Sequence, residues 1–139
     1  MYYLSKYPHF QKIARMEVEK VLHSKKHITI EDLNEMVYLD YFIKEVLRLC
    51  SPAGQVDNRV CNTGVVGNYT VPRGTVVAPF IYPVHHSADV WKDPWEFRPD
   101  RWKDFDSPNP IWYPFGYGPH SCIGQKLSII EQKVFLAKL

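Results

Sequence analysis

Phe115-Gly116-Tyr117-Gly118-Pro119-His120-Ser121-Cys122-Ile123-Gly124 sets one cysteine in a glycine-rich loop that runs straight into a helical pattern. Gly116, Gly118 and Gly124 lack the Cβ that keeps a backbone away from a flat ligand and disfavours positive φ, so amide N–H groups can turn towards the Cys122 sulfur. A helix starting near Ile123 adds the positive end of its dipole. Both influences lower a thiol's pKa, and the thiolate is the form that binds metal. His120, two residues earlier, brings a hydrogen-bond donor to the same place.

Two further patterns lie upstream. Glu45-Val46-Leu47-Arg48 puts a carboxylate and a guanidinium three residues apart in a helical stretch, and Phe97-Arg98-Pro99-Asp100-Arg101-Trp102 follows within an irregular segment. The cysteine stretch resembles the cysteine loop of the cytochrome P-450 superfamily, Phe-x-x-Gly-x-(Arg or His)-x-Cys-x-Gly, with every fixed position filled. The Glu45–Arg48 pair resembles that family's Glu-x-x-Arg helix, and residues 97–102 resemble its Phe-x-Pro-Glu-Arg-(Phe or Trp) segment. Three motifs in the family's order carry the resemblance over essentially the whole chain.

The resemblance implies a mainly α fold with a small antiparallel sheet, the C-terminal portion of the cytochrome P-450 fold, in which residues 1–139 form part of a single longer domain. It implies haem b held through the Cys122 thiolate. His120 stands at the family's propionate-binding Arg or His, Arg59 in Asn58-Arg59-Val60 matches a second propionate position by its spacing after the Glu-x-x-Arg helix, and Phe115 packs beside the sulfur. Gly116 and Gly124 belong to the same cofactor loop. Glu45, Arg48 and Arg101 correspond to a buried triad that serves folding and haem retention. By spacing alone the first two would be a surface pair worth only ~0.3 kcal/mol. His85 also occupies a family-like position before Trp91, where a ligand contact and a structural hydrogen bond both stand as readings. The departures are His120 for the commoner Arg, Asp100 for Glu and Ser128 for a small alanine against the macrocycle.

As a function, the resemblance implies a haem-thiolate monooxygenase that inserts one oxygen atom of O2 into a lipophilic organic substrate. Electrons come from an NADPH-dependent reductase docking on the thiolate side, where Lys92, Lys103, Lys126 and Lys133 offer positive charge. The same resemblance implies attachment to the cytosolic face of the endoplasmic reticulum membrane through a segment upstream of this one. Three other readings stay open: a non-catalytic truncated fragment, a haem-thiolate isomerase or dehydratase, and a cysteine-nucleophile enzyme using Cys122 with His120. The last leaves the three glycines and the Glu-x-x-Arg pair unexplained.

Composition sets independent bounds. The 139 residues are 45% hydrophobic and 14% aromatic, enough for one core, and the formal charge of +2 gives no electrostatic case for nucleic acid as a partner. Cys50, Cys61 and Cys122 are odd in number and form no C-x-x-C pair, which argues against a disulfide framework or a zinc ribbon and for a reducing, cytosol-facing compartment. The sequence contains no signal peptide and no apolar run long enough to span a bilayer. Residues 1–6 read as the tail of a helix already under way, and Leu139 also falls within a helical pattern.

Periodicity supplies the remaining elements. Pro8 suits a first helical turn, and Phe10, Ile13, Ala14, Val18, Val21 and Leu22 recur at helical spacing up to Lys25-Lys26. Thr29 with Asp32 resembles a capping arrangement for a short helix to about Met36. Leu39, Phe42, Ile43, Val46 and Cys50 line one face of a helix that must end before Ser51-Pro52. Val65 to Val71 reads as a hairpin turning at Gly67-Asn68, and Pro72-Arg73-Gly74 as a turn before a strand over Thr75 to Ile81. Pro83 to Pro114 is an irregular, proline- and tryptophan-rich segment with a short helix at His86 to Val90. The final helix carries Ile123, Leu127, Ile130 and Val134 on one face.

Overall fold

A computed structural model describes residues 1–105 and 111–139. Six helices form its body: α1 (Tyr2–Lys6), α2 (Pro8–Leu22), α3 (Ile30–Glu35), α4 (Val37–Leu49), α5 (Ile81–His85) and α6 (Gln125–Ala137). Four two-residue strands, β1 (Arg59–Val60), β2 (Val65–Val66), β3 (Tyr69–Thr70) and β4 (Val76–Val77), form two separate antiparallel ladders, β1 with β4 and β2 with β3. The expected mainly α fold with a small antiparallel component is therefore present. The hairpin turns at Gly67-Asn68, where Gly67 has φ 58°. The expected strand over Thr75 to Ile81 is shorter. Only Val76–Val77 pairs with β1, Phe80 makes an isolated bridge to Gln55, and Ile81 has already entered α5.

The centre of the fold is α4, against which α2, α5, α6 and a 3-10 turn at Pro99–Trp102 all pack. Its apolar residues Leu39, Phe42, Ile43 and Leu47 are buried, as are Glu45 and Arg48. Cys50, expected on the apolar face, is instead exposed just past the helix end. One core joins Leu39, Ile43 and Leu47 to Ala14 of α2, Leu33 of α3 and, at its edge, Ile130 and Val134 of α6. A second gathers Phe42, Phe10, Leu4 and Phe97, with the Phe97 ring stacked on Tyr3 and Tyr7 at 4.4 and 5.2 Å. Phe97 thus draws the irregular segment onto α1 and α2. Pairs of this kind add about 0.5–1.5 kcal/mol beyond their buried area.

The ends of the helices are fixed by polar groups. Thr29 Oγ1 accepts the Asp32 N–H while Asp32 Oδ2 accepts the Thr29 N–H, a reciprocal capping box at the start of α3. The first N–H groups of α4 have no partner within the helix. Glu17 of α2 accepts two of them, from Tyr38 at 2.8 Å and Leu39 at 2.9 Å. This cap from another helix has no local sequence signature. Glu17→Ala is expected to cost about 2 kcal/mol, the upper range for losing a cap, because two donors are orphaned together. A urea unfolding midpoint unchanged from wild type would refute that role.

Two expectations fail. The short helix lies at Ile81–His85, not at His86 to Val90. Pro83, expected to open the irregular segment, falls in the first turn of this helix, where a missing N–H costs no intrahelical bond. The chain then closes on itself: Trp91 Nε1 donates to the Val84 carbonyl at 3.1 Å, and His86 Nδ1 lies 2.9 Å from the Tyr82 carbonyl. Lys133 is also not a surface charge. It is buried, with Nζ donating to the Leu33 carbonyl at 3.1 Å and pairing with Asp40 Oδ1 at 3.3 Å, so it clamps α6 to the end of α3 and the start of α4. Lys92, Lys103 and Lys126 are exposed.

Candidate cofactor site around Cys122

Glu45 and Arg48, one helical turn apart, are both 0% exposed in their side chains. Each oxygen of the Glu45 carboxylate is held by several donors. Arg48 Nη2, the Arg98 amide and Arg101 Nε reach Oε1 at 2.9, 3.0 and 2.9 Å, while Arg48 Nε and Trp102 Nε1 reach Oε2, both at 3.0 Å. Arg48 uses its whole fork. Besides Glu45, it donates to the carbonyls of His85 at 2.7 Å, Pro94 at 2.6 Å and Glu96 at 3.1 Å. The Trp91 ring lies 5.3 Å from its guanidinium carbon. Arg101 continues outward to the carbonyls of Lys92, Asp93 and Glu96. These bonds pin the irregular segment, which lacks regular backbone pairing of its own, onto α4. Sequence reading brought the three charged residues together but missed Trp102 and the carbonyl cage, because backbone acceptors leave no trace in residue types.

The segment 111–113 leads from that network to the cysteine loop. Trp112 Nε1 donates to the Lys44 carbonyl on α4 at 3.1 Å, and the Tyr113 amide donates to His85 Nε2 at 3.2 Å. Inside the loop, the Gly116 amide donates to the Tyr113 carbonyl at 2.9 Å and the Cys122 amide to the Phe115 carbonyl at 2.8 Å. Gly116 has φ 75°, a conformation that a side chain would strain. The Cys122 amide thus closes the loop on itself. Among the described residues no N–H donates to Sγ, so the expected amide donors to the sulfur are not met, and α6 begins at Gln125 where a start near Ile123 was expected.

Cys122 is exposed and opens on a cavity of about 590 Å³. Phe115, Gly116 and Ile81 line it with apolar surface, and Arg59 and His120 stand on it together. Ile123, next to Cys122, is fully exposed and lines the same cavity, and Leu127 at the start of α6 is exposed as well. A Cβ on Gly124 would sit 3.7 Å from Sγ, so the glycine leaves the sulfur open on that side. Among the described residues the Arg59 guanidinium makes one long contact, 3.3 Å to its neighbour's carbonyl, and its other donors have no partner there. A thiol beside exposed apolar side chains, with two basic groups on the same cavity, suits a flat, apolar, anionic ligand with a metal at its centre.

The family model described as Cytochrome P450 matches residues 1–139. The chain belongs to the cytochrome P450 family. Among curated relatives, it is 38% identical over 143 residues to cytochrome P450 3A9 of Rattus norvegicus, 39% to cytochrome P450 3A13 of Mus musculus and 34% to cytochrome P450 3A28 of Bos taurus. Each alignment covers 100% of this chain and 28% of the relative, so the P450 chain spans a little over a quarter of the length of the proteins it matches.

The residues of this P450 chain fit haem. No group of three or more His, Cys, Asp or Glu that would hold a bare metal ion occurs among the described residues. A single thiol is what remains to be supplied when a porphyrin provides the other donors. Phe115 and Ile123 give the cavity apolar surface, and Arg59 and His120 bring to it side chains able to donate to a carboxylate. No helix among the described residues is long and apolar enough to cross a membrane.

Proposed function

We propose that this P450 chain is the haem-binding, C-terminal part of a haem-thiolate monooxygenase acting on a lipophilic organic substrate, with Cys122 as the residue that would hold the haem through its thiolate. The observation that carries the reading is the exposed Cys122 thiol opening on an apolar cavity that Arg59 and His120 share. When bound, haem supplies the one-electron and O2 chemistry, tuned by its thiolate ligand. The chain's own residues hold and orient it. Cys122 would bind the metal, Arg59 and His120 would neutralise and anchor the propionates, and Phe115 with Gly116 would shield the sulfur side. The Glu45–Arg48–Arg101 network is assigned to folding and haem retention, since it holds the backbone leading to the loop and exposes no reactive atom.

Electrons are assigned to an NADPH-dependent reductase docking on the thiolate side, with Lys92, Lys103 and Lys126 as exposed positive charges. Localisation at the cytosolic face of the endoplasmic reticulum membrane follows from the family resemblance. The deciding experiment is the absorption spectrum of the reduced, carbon-monoxide-bound protein. A thiolate-type Soret band is expected, and an imidazole-type band or none would overturn the reading. A non-catalytic fragment is distinguished by titrating haem into residues 1–139 and measuring substrate-dependent oxygen consumption.

The propionate assignment gives a separate test. Arg59→Ala and His120→Ala are each expected to weaken haem binding about tenfold, equivalent to ~1.4 kcal/mol, near the lower value for a hydrogen bond to a charged group. Apo-protein extraction kinetics report this directly. Haem loss at the wild-type rate in the double variant would remove both residues from the site.

A further inference from the structure

His85 is fully buried and sits between the charged network and the cysteine loop, touching neither the cavity nor Cys122. Its carbonyl accepts Arg48 Nη1 at 2.7 Å and its ring Nε2 accepts the Tyr113 amide at 3.2 Å. A ring nitrogen that accepts an N–H carries no proton, so the ring is neutral with its hydrogen on Nδ1. Nδ1 has no hydrogen-bond partner among the described residues. Resting on the haem-thiolate reading above, we infer that His85 is a positioning residue whose neutral ring ties the approach to the cysteine loop to the Glu45–Arg48 network, and that acid releases this tie.

Burial and the neighbouring charges oppose a charged ring. Arg48 approaches from α4, His86 is the next residue after α5, and the Tyr113 phenol lies with its ring 5.6 Å away. The nearest carboxylate in the network, Glu45, is taken up by Arg48, Arg101 and Trp102, and among the described residues no carboxylate pairs with His85. Burial first, then the Arg48 charge, holds the imidazole down at about 4, against an ordinary 6.5. The depressed folded value sets the sign. Above pH 6.5 the neutral ring is favoured in both the closed and open forms, and the stabilisation is complete. As pH falls from 6.5 towards 4, the open form takes up the proton and the closed form does not, so the tie is progressively lost.

What opens is the loop. The Tyr113 amide loses its acceptor, the Gly116 amide is bonded to the Tyr113 carbonyl, and Phe115 and Cys122 follow within the same hydrogen-bonded turn. A solely structural histidine would affect overall stability without preferentially freeing this amide.

The test uses the holo-protein and three chains: wild type, His85→Gln and His85→Leu. Gln offers an uncharged acceptor near the position of Nε2, whereas Leu offers none. Hydrogen exchange of the Tyr113 amide, corrected for the intrinsic rate, is followed from about pH 8 to about pH 5, where an unperturbed histidine changes charge. The thiolate-type carbon-monoxide band is recorded in parallel. In wild type, opening should rise about tenfold per pH unit below the ordinary histidine value, and the band should be lost with it. His85→Gln should flatten the pH dependence and keep the band to lower pH. His85→Leu should expose the amide at every pH. Wild-type opening that does not depend on pH, or a His85→Gln profile that matches wild type, overturns the inference, and the wild-type measurement decides even if both variants fail to fold. Absence of the thiolate band from wild type at neutral pH would instead overturn the haem-thiolate reading.

Discussion

Replacing Cys122 with Ala or Ser is expected to abolish thiolate-type haem binding outright. The reduced, carbon-monoxide-bound variant should show no thiolate-type Soret band, because no other thiol can take the place of Cys122. Cys50 lies past the end of α4 with its sulfur 3.3 Å from the Tyr3 hydroxyl, and Cys61 is buried in the turn after β1, with its sulfur 3.9 Å from Thr63 Oγ1. Neither lines the cavity on which Cys122 opens. Cys50→Ala and Cys61→Ala should therefore keep the band. Serine tests the chemistry and not the volume: its hydroxyl is close in size but does not ionise as a thiol does, so a soluble Cys122→Ser protein without the band separates ligation from folding. A band unchanged in either Cys122 variant would sink the assignment of the axial ligand.

Where one helix face or one turn decides the outcome, the sequence was readable. The 3.6-residue spacing of Phe10 and Ala14 and of Leu39, Phe42 and Ile43 identified α2 and α4, and the Thr29–Asp32 pair marked the start of α3. It misled where a residue type has two uses. Pro83, which opens the irregular segment by composition, lies inside the first turn of α5, and Lys133, a surface charge by residue type, is buried with its ammonium on the Leu33 carbonyl. The β region was legible as hairpin turns but not as ladders, since strands of two residues carry no period. At the site, glycine spacing located the cysteine loop, while what holds that loop was hidden. The Trp112 indole and the His85 ring bind it across 68 and 28 residues of chain, and such contacts arise only once the irregular segment has been wrapped around α4.

The same wrapping makes the charged network the second place where one substitution should have a large effect. Glu45→Ala leaves the Arg48 and Arg101 guanidinium groups facing each other without their shared carboxylate, and orphans the Trp102 and Arg98 N–H groups as well. Arg48→Ala leaves Glu45 buried with Arg101 as its remaining cationic partner and takes the guanidinium donor from the carbonyls of His85 and Pro94. Each should cost about 3–5 kcal/mol, the range for removing one member of a buried ion pair. Set against a typical total stability of about 5–15 kcal/mol, that is enough to lose soluble, haem-loaded protein. Arg101→Ala should be milder than Arg48→Ala, because its outer nitrogens bond carbonyls in exposed surroundings. Arg101→Lys should not rescue it, since a single ammonium cannot span Glu45 and three carbonyls as a guanidinium fork does. Because the residues form one network, the Glu45→Ala/Arg48→Ala double variant should lose less than the sum of the two single losses, as the second deletion removes a charge that the first had stranded. Thermal melts and haem content of the five variants measure this. Fully folded, haem-loaded single variants, or losses that simply add, would show that these bonds do not act together to hold the segment on α4.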